Sequence, residues 1–143
     1  MLIKLLPNQL GKYWDIIRYG IVSTDSPITG KSSENIREIL RSLVIGTTQC
    51  WFIFDEKKVF HGYVLTNIAD DGISKLRFLN IYDLYAYKQL TLPLWKDGLD
   101  TLVQFAKDNR CHKITAYSDN SQIVASAEKI GFEKKTTFLI KEV

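Results

Sequence analysis

The last third of the chain holds the pattern that most restricts its fold, a strand followed by a helix and a glycine. Residues 113–118 place Ile114 and Ala116 at alternating positions, which is the two-residue period of a half-buried strand. The Asp-Asn-Ser run at 119–121 supplies side-chain oxygens that can cap a helix. Gly131 stands where that helix should end, because glycine adopts the left-handed conformation of a helix stop at little cost.

The rest of the chain predicts further strands and helices around this unit. Apolar runs and alternation predict strands over residues 2–6, 50–54, 59–67, 75–84 and 136–143. Apolar residues at helical spacing predict helices over 9–21, from Ser32 or Ser33 to Gly46, and over 93–109, with a loop over 23–31. The order β-α-α-β-β-β-α-β-α-β predicts an α/β (α+β) protein with a mixed sheet. Its three middle strands should form an antiparallel meander, with Trp51 and Trp95 largely buried.

The composition predicts one globular domain over residues 1–143. The chain is 45% hydrophobic and has 19 basic and 16 acidic residues, for a net charge of +3. Because the two signs are interspersed, a nucleic-acid partner is not expected. The N-terminus lacks a signal-peptide pattern and no apolar run reaches membrane-spanning length, so a cytoplasmic protein without membrane association is expected. Cys50 and Cys111 show no metal or redox spacing, so reduced cysteines and no metal are expected.

The C-terminal third resembles the GCN5-related N-acetyltransferase (GNAT) family. Members of that family often have an asparagine after the fifth strand, then a helix, then Tyr-x-x-x-Gly-Phe. Asn120, Gly131 and Phe132 hold the matching places, whereas the place of the tyrosine is taken by Ala127. The order of elements is similar over nearly the whole chain. The resemblance implies the GNAT fold and, as the activity of the family, transfer of an acetyl group from acetyl-CoA to an amine.

In that family the segment between the fourth strand and the third helix binds the cofactor, with the form Arg/Gln-x-x-Gly-x-Gly/Ala. Glycines there let backbone N–H groups reach the pyrophosphate of acetyl-CoA. Residues 83–94 contain no glycine, and Pro93 removes one backbone donor. We therefore expect no cofactor. If acetyl-CoA does bind, the candidate contacts are Lys88, Gln89 and Asn120.

The resemblance also implies a general acid for the departing thiolate and a base for the acceptor amine. The family often takes the acid from the tyrosine that Ala127 replaces, and Tyr82 or Tyr117 would have to substitute. Asp83 is the candidate catalytic base, and a carboxylate that merely marks the strand end is the alternative interpretation. His61 shares its strand face with apolar residues, so we expect a hydrogen-bonded structural histidine.

The missing glycines and the missing tyrosine favour a GNAT-fold protein that has lost catalysis and acts as a binding or assembly module with protein partners. The alternative is an acetyl-CoA-dependent N-acetyltransferase with an atypical cofactor loop. A third hypothesis is a regulatory domain that binds a small ligand between the fourth and fifth strands. The chain also resembles small GNAT-like proteins of tailed bacteriophages, on the run Gln-Cys-Trp-Phe at residues 49–52. That resemblance implies a virion or internal phage protein, located in the host cytoplasm or in the virion.

Overall fold

The computed structural model describes residues 1–24 and 32–143, so most of the predicted loop over 23–31 lies outside the described residues. The strands are β1 (Leu2–Lys4), β2 (Thr48–Phe54), β3 (Phe60–Asp70), β4 (Arg77–Ala86) and β5 (Lys113–Ala116). The helices are α1 (Leu10–Ser23), α2 (Ser33–Ile45), α3 (Leu92–Asp108) and α4 (Ser121–Lys129), and a single 3-10 turn at Pro7–Gln9 precedes α1. None of the helices in the described ranges combines the length and apolar character needed to cross a bilayer.

The sheet has five strands in the spatial order β1-β2-β3-β4-β5. Strands β1 to β4 pair antiparallel, and β5 pairs parallel to β4 after the α3 connection, which confirms the predicted meander and the mixed sheet. In the β3–β4 ladder, Leu65 pairs with Asp83 but Thr66 pairs with Ile81, so Tyr82 is an extra residue on β4. Such a bulge bends a strand and redirects the side chains that follow it.

Both faces of the sheet are buried, and β2 shows why its sequence is apolar without a break. Side chains from Cys50 and Phe52 enter the α1–α2 core, whereas those from Trp51 and Ile53 enter the α3 core. The α1–α2 core consists of Leu10, Ile17, Ile21, Ile36, Ile39, Leu43, Cys50, Phe52, Tyr63 and Leu65. The α3 core consists of Leu2, Trp51, Ile53, Val64, Leu79, Leu102 and Ala106. Each large apolar side chain buried in this way contributes about 1.5–3 kcal/mol.

The two tryptophans expected in the core, Trp51 and Trp95, differ in how deeply they are buried. Trp51 is 5% exposed, its ring meets Phe105 of α3 edge-on at 5.0 Å, and its indole N–H donates to the Thr66 hydroxyl at 2.9 Å. Trp95 is only partly buried, so the prediction of a largely buried Trp95 is wrong. The buried residues of α3 are Leu102 and Ala106, both in its second half, because that half packs on the sheet more closely than the first turn does.

The strand predicted over residues 136–143 is not formed. Residues 132–143 have neither helix nor strand, and the element order of the described chain ends with α4. A strand requires a partner that offers a ladder of backbone groups. Here β5 is only four residues long. The C-terminal segment meets it through side chains, because the Phe138 ring contacts the ring of Tyr117, the residue after β5.

Helix α4 begins and ends as its sequence predicts. The Asn120 side-chain oxygen accepts from the Gln122 and Ile123 backbone N–H groups, so Asn120 is the N-cap. At the other end, the Phe132 N–H donates to the Ala127 carbonyl and the Gly131 N–H donates to the Glu128 carbonyl. This is the Schellman pattern of a helix stop, and Gly131 has a φ of 107°, as predicted.

We expect Gly131→Val to destabilise the protein by more than about 1 kcal/mol, because a β-branched residue resists a positive φ. Gly131→Asn is the matched control, since asparagine tolerates this conformation and should cost less. Urea denaturation of the two variants beside the wild type provides the measurement. Equal midpoints for the valine and asparagine variants would contradict the role of this glycine.

Helix α1 lies close to the sheet at Gly20. A Cβ atom added to Gly20 would lie 2.3 Å from Cε1 and 2.4 Å from the hydroxyl oxygen of Tyr63. The Tyr63 side chain is fully buried, so its ring has no free space into which it can move. The absence of a side chain at this one position of α1 therefore permits Tyr63 to pass beneath the helix.

Gly20→Ala should destabilise the protein by about 1–3 kcal/mol, the usual cost of overpacking a core. Gly11→Ala, on the same helix, is the control, because nothing lies within 4 Å of a Cβ at Gly11. Alanine is a better helix former than glycine, so the control should be neutral or stabilising. Thermal unfolding followed by circular dichroism separates the two outcomes, and a Gly20→Ala variant as stable as Gly11→Ala would refute the close contact.

Candidate functional site

Strands β4 and β5 separate at one edge of the sheet. Their last paired residues are Ile81 and Ala116, and β4 continues beyond that point to Ala86. Parallel strands end on the same side of a sheet, and ligands of open α/β sheets bind beyond these carboxyl ends. The sequence candidates all follow the separation point: Asp83, Lys88, Gln89 and Asn120. The edge beyond Ile81 and Ala116 is therefore the place to look for a site.

Asp83 is a partly buried carboxylate inside β4, not at the end of the strand as the predicted bounds implied. The Tyr63 hydroxyl donates to its Oδ2 at 2.7 Å. Burial raises the pKa of the Asp83 carboxyl, while hydrogen bonds from Thr24, from Tyr63 and from the Leu84 backbone N–H oppose part of that rise. Among the described residues no lysine, arginine or histidine forms an ion pair with it. A carboxyl of this kind keeps its proton to a higher pH than an exposed aspartate, as suits a general base.

Sequence analysis missed Tyr63 as the partner of Asp83. Antiparallel pairing places Tyr63 opposite Tyr85, two residues from Asp83 on the same face of the sheet, where diagonal neighbours are within reach of long side chains. Burial and the negative charge of Asp83 raise the pKa of Tyr63 well above its usual range, so its hydroxyl remains a donor. A register counted from the predicted hairpin turn would not have found this pair, because it places Tyr63 opposite Leu84, and only the bulge at Tyr82 brings Asp83 to the face of Tyr63.

The segment between β4 and α3 is fastened to the first residues of β3. The backbone N–H groups of Tyr87 and Lys88 both donate to the His61 carbonyl oxygen, at 2.7 and 3.2 Å. The His61 ring lies with Nε2 at 2.9 Å from Asp55 Oδ2 and Nδ1 at 3.3 Å from the Gln89 carbonyl oxygen. The interpretation of His61 as a structural histidine is therefore confirmed. These bonds direct the first two backbone donors of the segment toward the sheet.

The first turn of α3 offers few backbone donors to an anion. A helix binds a phosphate through the N–H groups of its first residues, which here are Leu92, Pro93 and Leu94. Pro93 has no N–H, and the N–H of Leu94 donates to the hydroxyl of the N-cap residue Thr91 at 3.4 Å. Of these three positions only Leu92 retains an N–H for a ligand. The residues present do not form a cradle that fits a pyrophosphate.

The three candidate cofactor contacts lie at the same edge with different roles. Lys88 and Gln89 have exposed side chains on the segment after β4. Asn120 is exposed as well, but its Oδ1 accepts the Gln122 and Ile123 N–H groups, at 3.0 and 3.3 Å. Its amide NH2 group is what remains for a ligand. Lys88 and Gln89 thus follow β4 and Asn120 follows β5, and Asn120 has a structural role as the cap of α4.

Ala127, Tyr82 and Tyr117, the positions expected to bear on a general acid, have different surroundings. Ala127 is partly buried on α4 and has no donor side chain. Tyr82 packs against the α1–α2 core. Tyr117 is 50% exposed and its ring contacts Phe138 at a centroid distance of 5.0 Å. Burial raises the pKa of the Cys50 thiol to about 12, so this cysteine is a poor nucleophile.

Comparison with solved structures places the fold. A predicted acetyltransferase of Clostridium acetobutylicum, solved with acetyl-CoA, matches with a TM-score of 0.73 and 17% identity over 99% of this chain and 95% of that chain. The chain has the GNAT fold. A glucosamine-6-phosphate N-acetyltransferase of Arabidopsis thaliana matches with a TM-score of 0.67 and 14% identity, covering 99% of this chain and 97% of that chain. An aminoglycoside acetyltransferase from an uncultured soil metagenomic sample, in complex with sisomicin, matches with a TM-score of 0.69 and 16% identity, covering 100% and 95%.

These matches confirm the resemblance to GNAT proteins at the level of the fold. The sequence matches no family model and no curated protein. At identities below one fifth, shared fold does not carry shared activity, because function depends on the residues of the site. The resemblance to phage proteins remains a prediction.

The raised pKa of Asp83 has a consequence for stability. The folded protein holds this proton more tightly than the unfolded chain, so protonation favours folding. The free energy of unfolding should therefore fall as the pH rises from the ordinary aspartate range through the raised pKa. In Asp83→Asn this contribution is absent. The urea midpoint of the variant, minus that of the wild type, should therefore increase as the pH rises.

Asp71→Asn provides a control of opposite sign. Hydrogen bonds from the Ser74 and Ile73 backbone N–H groups lower the pKa of Asp71, so its contribution to stability is present above the ordinary aspartate range and is lost as the pH falls. The urea midpoint of Asp71→Asn, minus that of the wild type, should therefore decrease as the pH rises. If this difference in urea midpoint changed with pH in the same direction for both variants, the raised pKa of Asp83 would be contradicted.

Proposed function

We propose that this GNAT-fold chain is a binding module that does not transfer acetyl groups from acetyl-CoA. The observation that carries the proposal is the first turn of α3, where Pro93 lacks an N–H and Thr91 occupies that of Leu94. Pyrophosphate oxygens placed at this turn would lose water and gain only the Leu92 N–H among its first three residues, and desolvating a poorly paired charge is unfavourable. Lys88 alone, on an exposed and flexible side chain, is a weak substitute.

Two further features support the same proposal. The N–H groups of Tyr87 and Lys88 donate to the His61 carbonyl, so freeing them for phosphate would break two hydrogen bonds of the sheet edge. Ala127 leaves the departing thiolate without the acid that the family often uses at that position. General acid catalysis is commonly worth about 10²–10⁴ in rate. Both the binding of the cofactor and the protonation of the departing thiolate are therefore disfavoured.

One observation favours the alternative of an acetyl-CoA-dependent N-acetyltransferase with an atypical loop. Asp83 is a carboxyl with a raised pKa at the edge where β4 and β5 separate, and in this alternative it is the base that deprotonates the acceptor amine. Lys88, Gln89 and Asn120 would then contact the cofactor. The same carboxyl also serves a structural role, because it accepts the otherwise buried Tyr63 hydroxyl. We therefore give the candidate base Asp83, which favours catalysis, less weight than the first turn of α3, which disfavours cofactor binding.

A protein is the proposed partner of the binding module. Helix α1 exposes Ile16, Tyr19 and Val22, which are 39%, 60% and 39% exposed. The Tyr87 ring lies stacked beside Tyr19 at a centroid distance of 6.1 Å. Tyrosine is enriched in protein interfaces, and clustered apolar exposure marks interaction surfaces. The resemblance to small phage proteins makes a virion protein the partner class we propose first.

Calorimetric titration with acetyl-CoA tests the proposal. We expect no measurable heat of binding at high micromolar cofactor, and no change in melting temperature, because a ligand that binds the native state must stabilise it. A thiol-release assay with a panel of amines should stay at the uncatalysed rate. Micromolar binding together with amine-dependent release of CoA would overturn the proposal and establish the acetyltransferase.

Two variants make a positive result interpretable. If acetyl-CoA binds through the site, Lys88→Ala should weaken binding and leave the rate at saturation nearly unchanged. Asp83→Asn should lower the rate at saturation and leave binding nearly unchanged. Binding unaffected by Lys88→Ala would place the cofactor elsewhere on the protein.

A further inference from the structure

His61 lies between two hydrogen-bond acceptors, one at each nitrogen of its imidazole ring. Its Nε2 lies 2.9 Å from Oδ2 of Asp55, in the turn between β2 and β3. Its Nδ1 lies 3.3 Å from the carbonyl oxygen of Gln89, in the segment between β4 and α3. The His61 side chain is only 13% exposed, so water has little access to replace either partner. The ring therefore joins the β2–β3 turn to the segment that leads into α3.

Asp55 can only accept a hydrogen bond from this ring. Its Oδ1 accepts the backbone N–H groups of Lys57 and Val59, each at 2.9 Å. The hydrogen bond with His61, followed by the one from Val59, lowers the pKa of the Asp55 carboxyl, so this group is ionised and has no proton to donate. The turn thus holds the Asp55 carboxylate with Oδ2 at the ring nitrogen Nε2.

The Gln89 carbonyl oxygen is an acceptor as well, so both ring nitrogens need a proton. A neutral imidazole has one N–H and one lone pair, whereas the imidazolium has two N–H groups. Only the imidazolium can donate to Asp55 and to Gln89 at once. When the ring is neutral, the carboxylate keeps the remaining N–H, because hydrogen bonds to a charged acceptor are the stronger ones. The lone pair of Nδ1 then faces the lone pairs of the Gln89 carbonyl oxygen, and this contact is repulsive.

We propose that His61 is a pH-sensitive clamp on the segment between β4 and α3, closed by the imidazolium and opened at Gln89 when the ring loses its proton. Histidine is the residue type whose charge ordinarily changes between about pH 5 and pH 8. The N–H groups of Tyr87 and Lys88 donate to the backbone carbonyl of His61 in either state, so the release begins after Lys88. Residues 89–91 then gain freedom directly before α3, which begins at Leu92. This inference does not depend on whether the protein binds acetyl-CoA.

Among the described residues around His61, the histidine ring is the group that changes charge in this range. Burial raises the pKa of Tyr87 to about 12, so its phenol stays neutral. On the neighbouring strands, Ile53 and Ala86 pair with Gly62 and carry no charge. Lysine and glutamate ordinarily keep their charges between about pH 5 and pH 8. The remaining charged residues of the turn and the segment are of these two types: Glu56, Lys57, Lys58 and Lys88.

NMR spectroscopy of the full chain between about pH 5 and pH 8 tests the clamp. The Cε1 signal of His61 reports the charge of the ring, and the carbonyl carbon of Gln89 reports its hydrogen bond. In the wild type the Gln89 carbonyl signal should shift together with the His61 ring. The amide order parameters of Gln89 and Leu90 should fall as the ring becomes neutral. A Gln89 signal that stays constant while the ring titrates contradicts the clamp, as does a ring that keeps one charge throughout.

Asp55→Asn separates this mechanism from a general effect of pH. The asparagine oxygen can keep the two backbone bonds of Asp55 Oδ1, and its NH2 group, in the place of Oδ2, can donate to a neutral Nε2. The neutral ring then carries its proton on Nδ1, where it donates to Gln89. The Gln89 carbonyl signal of this variant should therefore lose its dependence on pH, and the order parameter of Gln89 should stay high at about pH 8.

Two variants at the histidines complete the design. His61→Phe keeps a ring without an N–H, so the Gln89 order parameter should be low at every pH and its carbonyl signal should not titrate. His112, the other histidine of the chain, is exposed just before β5, and His112→Gln should leave the Gln89 profile as in the wild type. The dispersion of the amide spectrum checks that each variant folds.

The variants also state how the proposal fails. An Asp55→Asn profile identical to that of the wild type would show that the second acceptor does not force the imidazolium. A Gln89 titration that persists in His61→Phe, or that disappears in His112→Gln, would assign the pH dependence to another group.

Discussion

The close packing of Tyr63 beneath Gly20 connects the fold of this protein to its candidate site. A Cβ at Gly20 would lie within 2.4 Å of the Tyr63 hydroxyl oxygen, and the Tyr63 side chain is fully buried. A buried phenol hydroxyl requires an acceptor, and Asp83 supplies it at 2.7 Å. The Tyr63 side chain therefore links the packing of α1 on the sheet to the Asp83 carboxyl. Any account of Asp83 as a base must include its structural duty toward Tyr63.

The candidate base and the candidate cofactor segment differ in what the structure offers to a ligand. Asp83 keeps the partly buried surroundings that raise the pKa of a carboxyl. In the segment after β4, the N–H groups of Tyr87 and Lys88 donate to the His61 carbonyl, and the N–H of Leu94 donates to the Thr91 cap. A backbone N–H that donates within the protein is not free for a phosphate, so these three N–H groups are not available to a cofactor. A fold shared with acetyltransferases is thus compatible with a site that does not hold their cofactor.

Residues 136–143 have a sequence preference for strand structure but no strand partner within the described chain. Residues 136–143 have the composition of a strand, and β5 has a free edge, yet the two do not pair within one chain. Strand formation depends on a ladder as well as on propensity, and β5 offers only Lys113–Ala116.

The sequence by itself determined the order of elements as far as α4, the burial of β2 on both faces, a helix cap within residues 119–121 and the positive φ of Gly131. These features depend on residues within one element or its ends, where periodicity and capping chemistry act directly. Only the tertiary structure decided that Tyr63 meets Asp83, that His61 holds the segment after β4, and that Trp95 stays partly exposed. The strand predicted at 136–143 was wrong for the same reason. Each of these outcomes depends on which distant backbone or side chain is within reach, and local patterns do not carry that information.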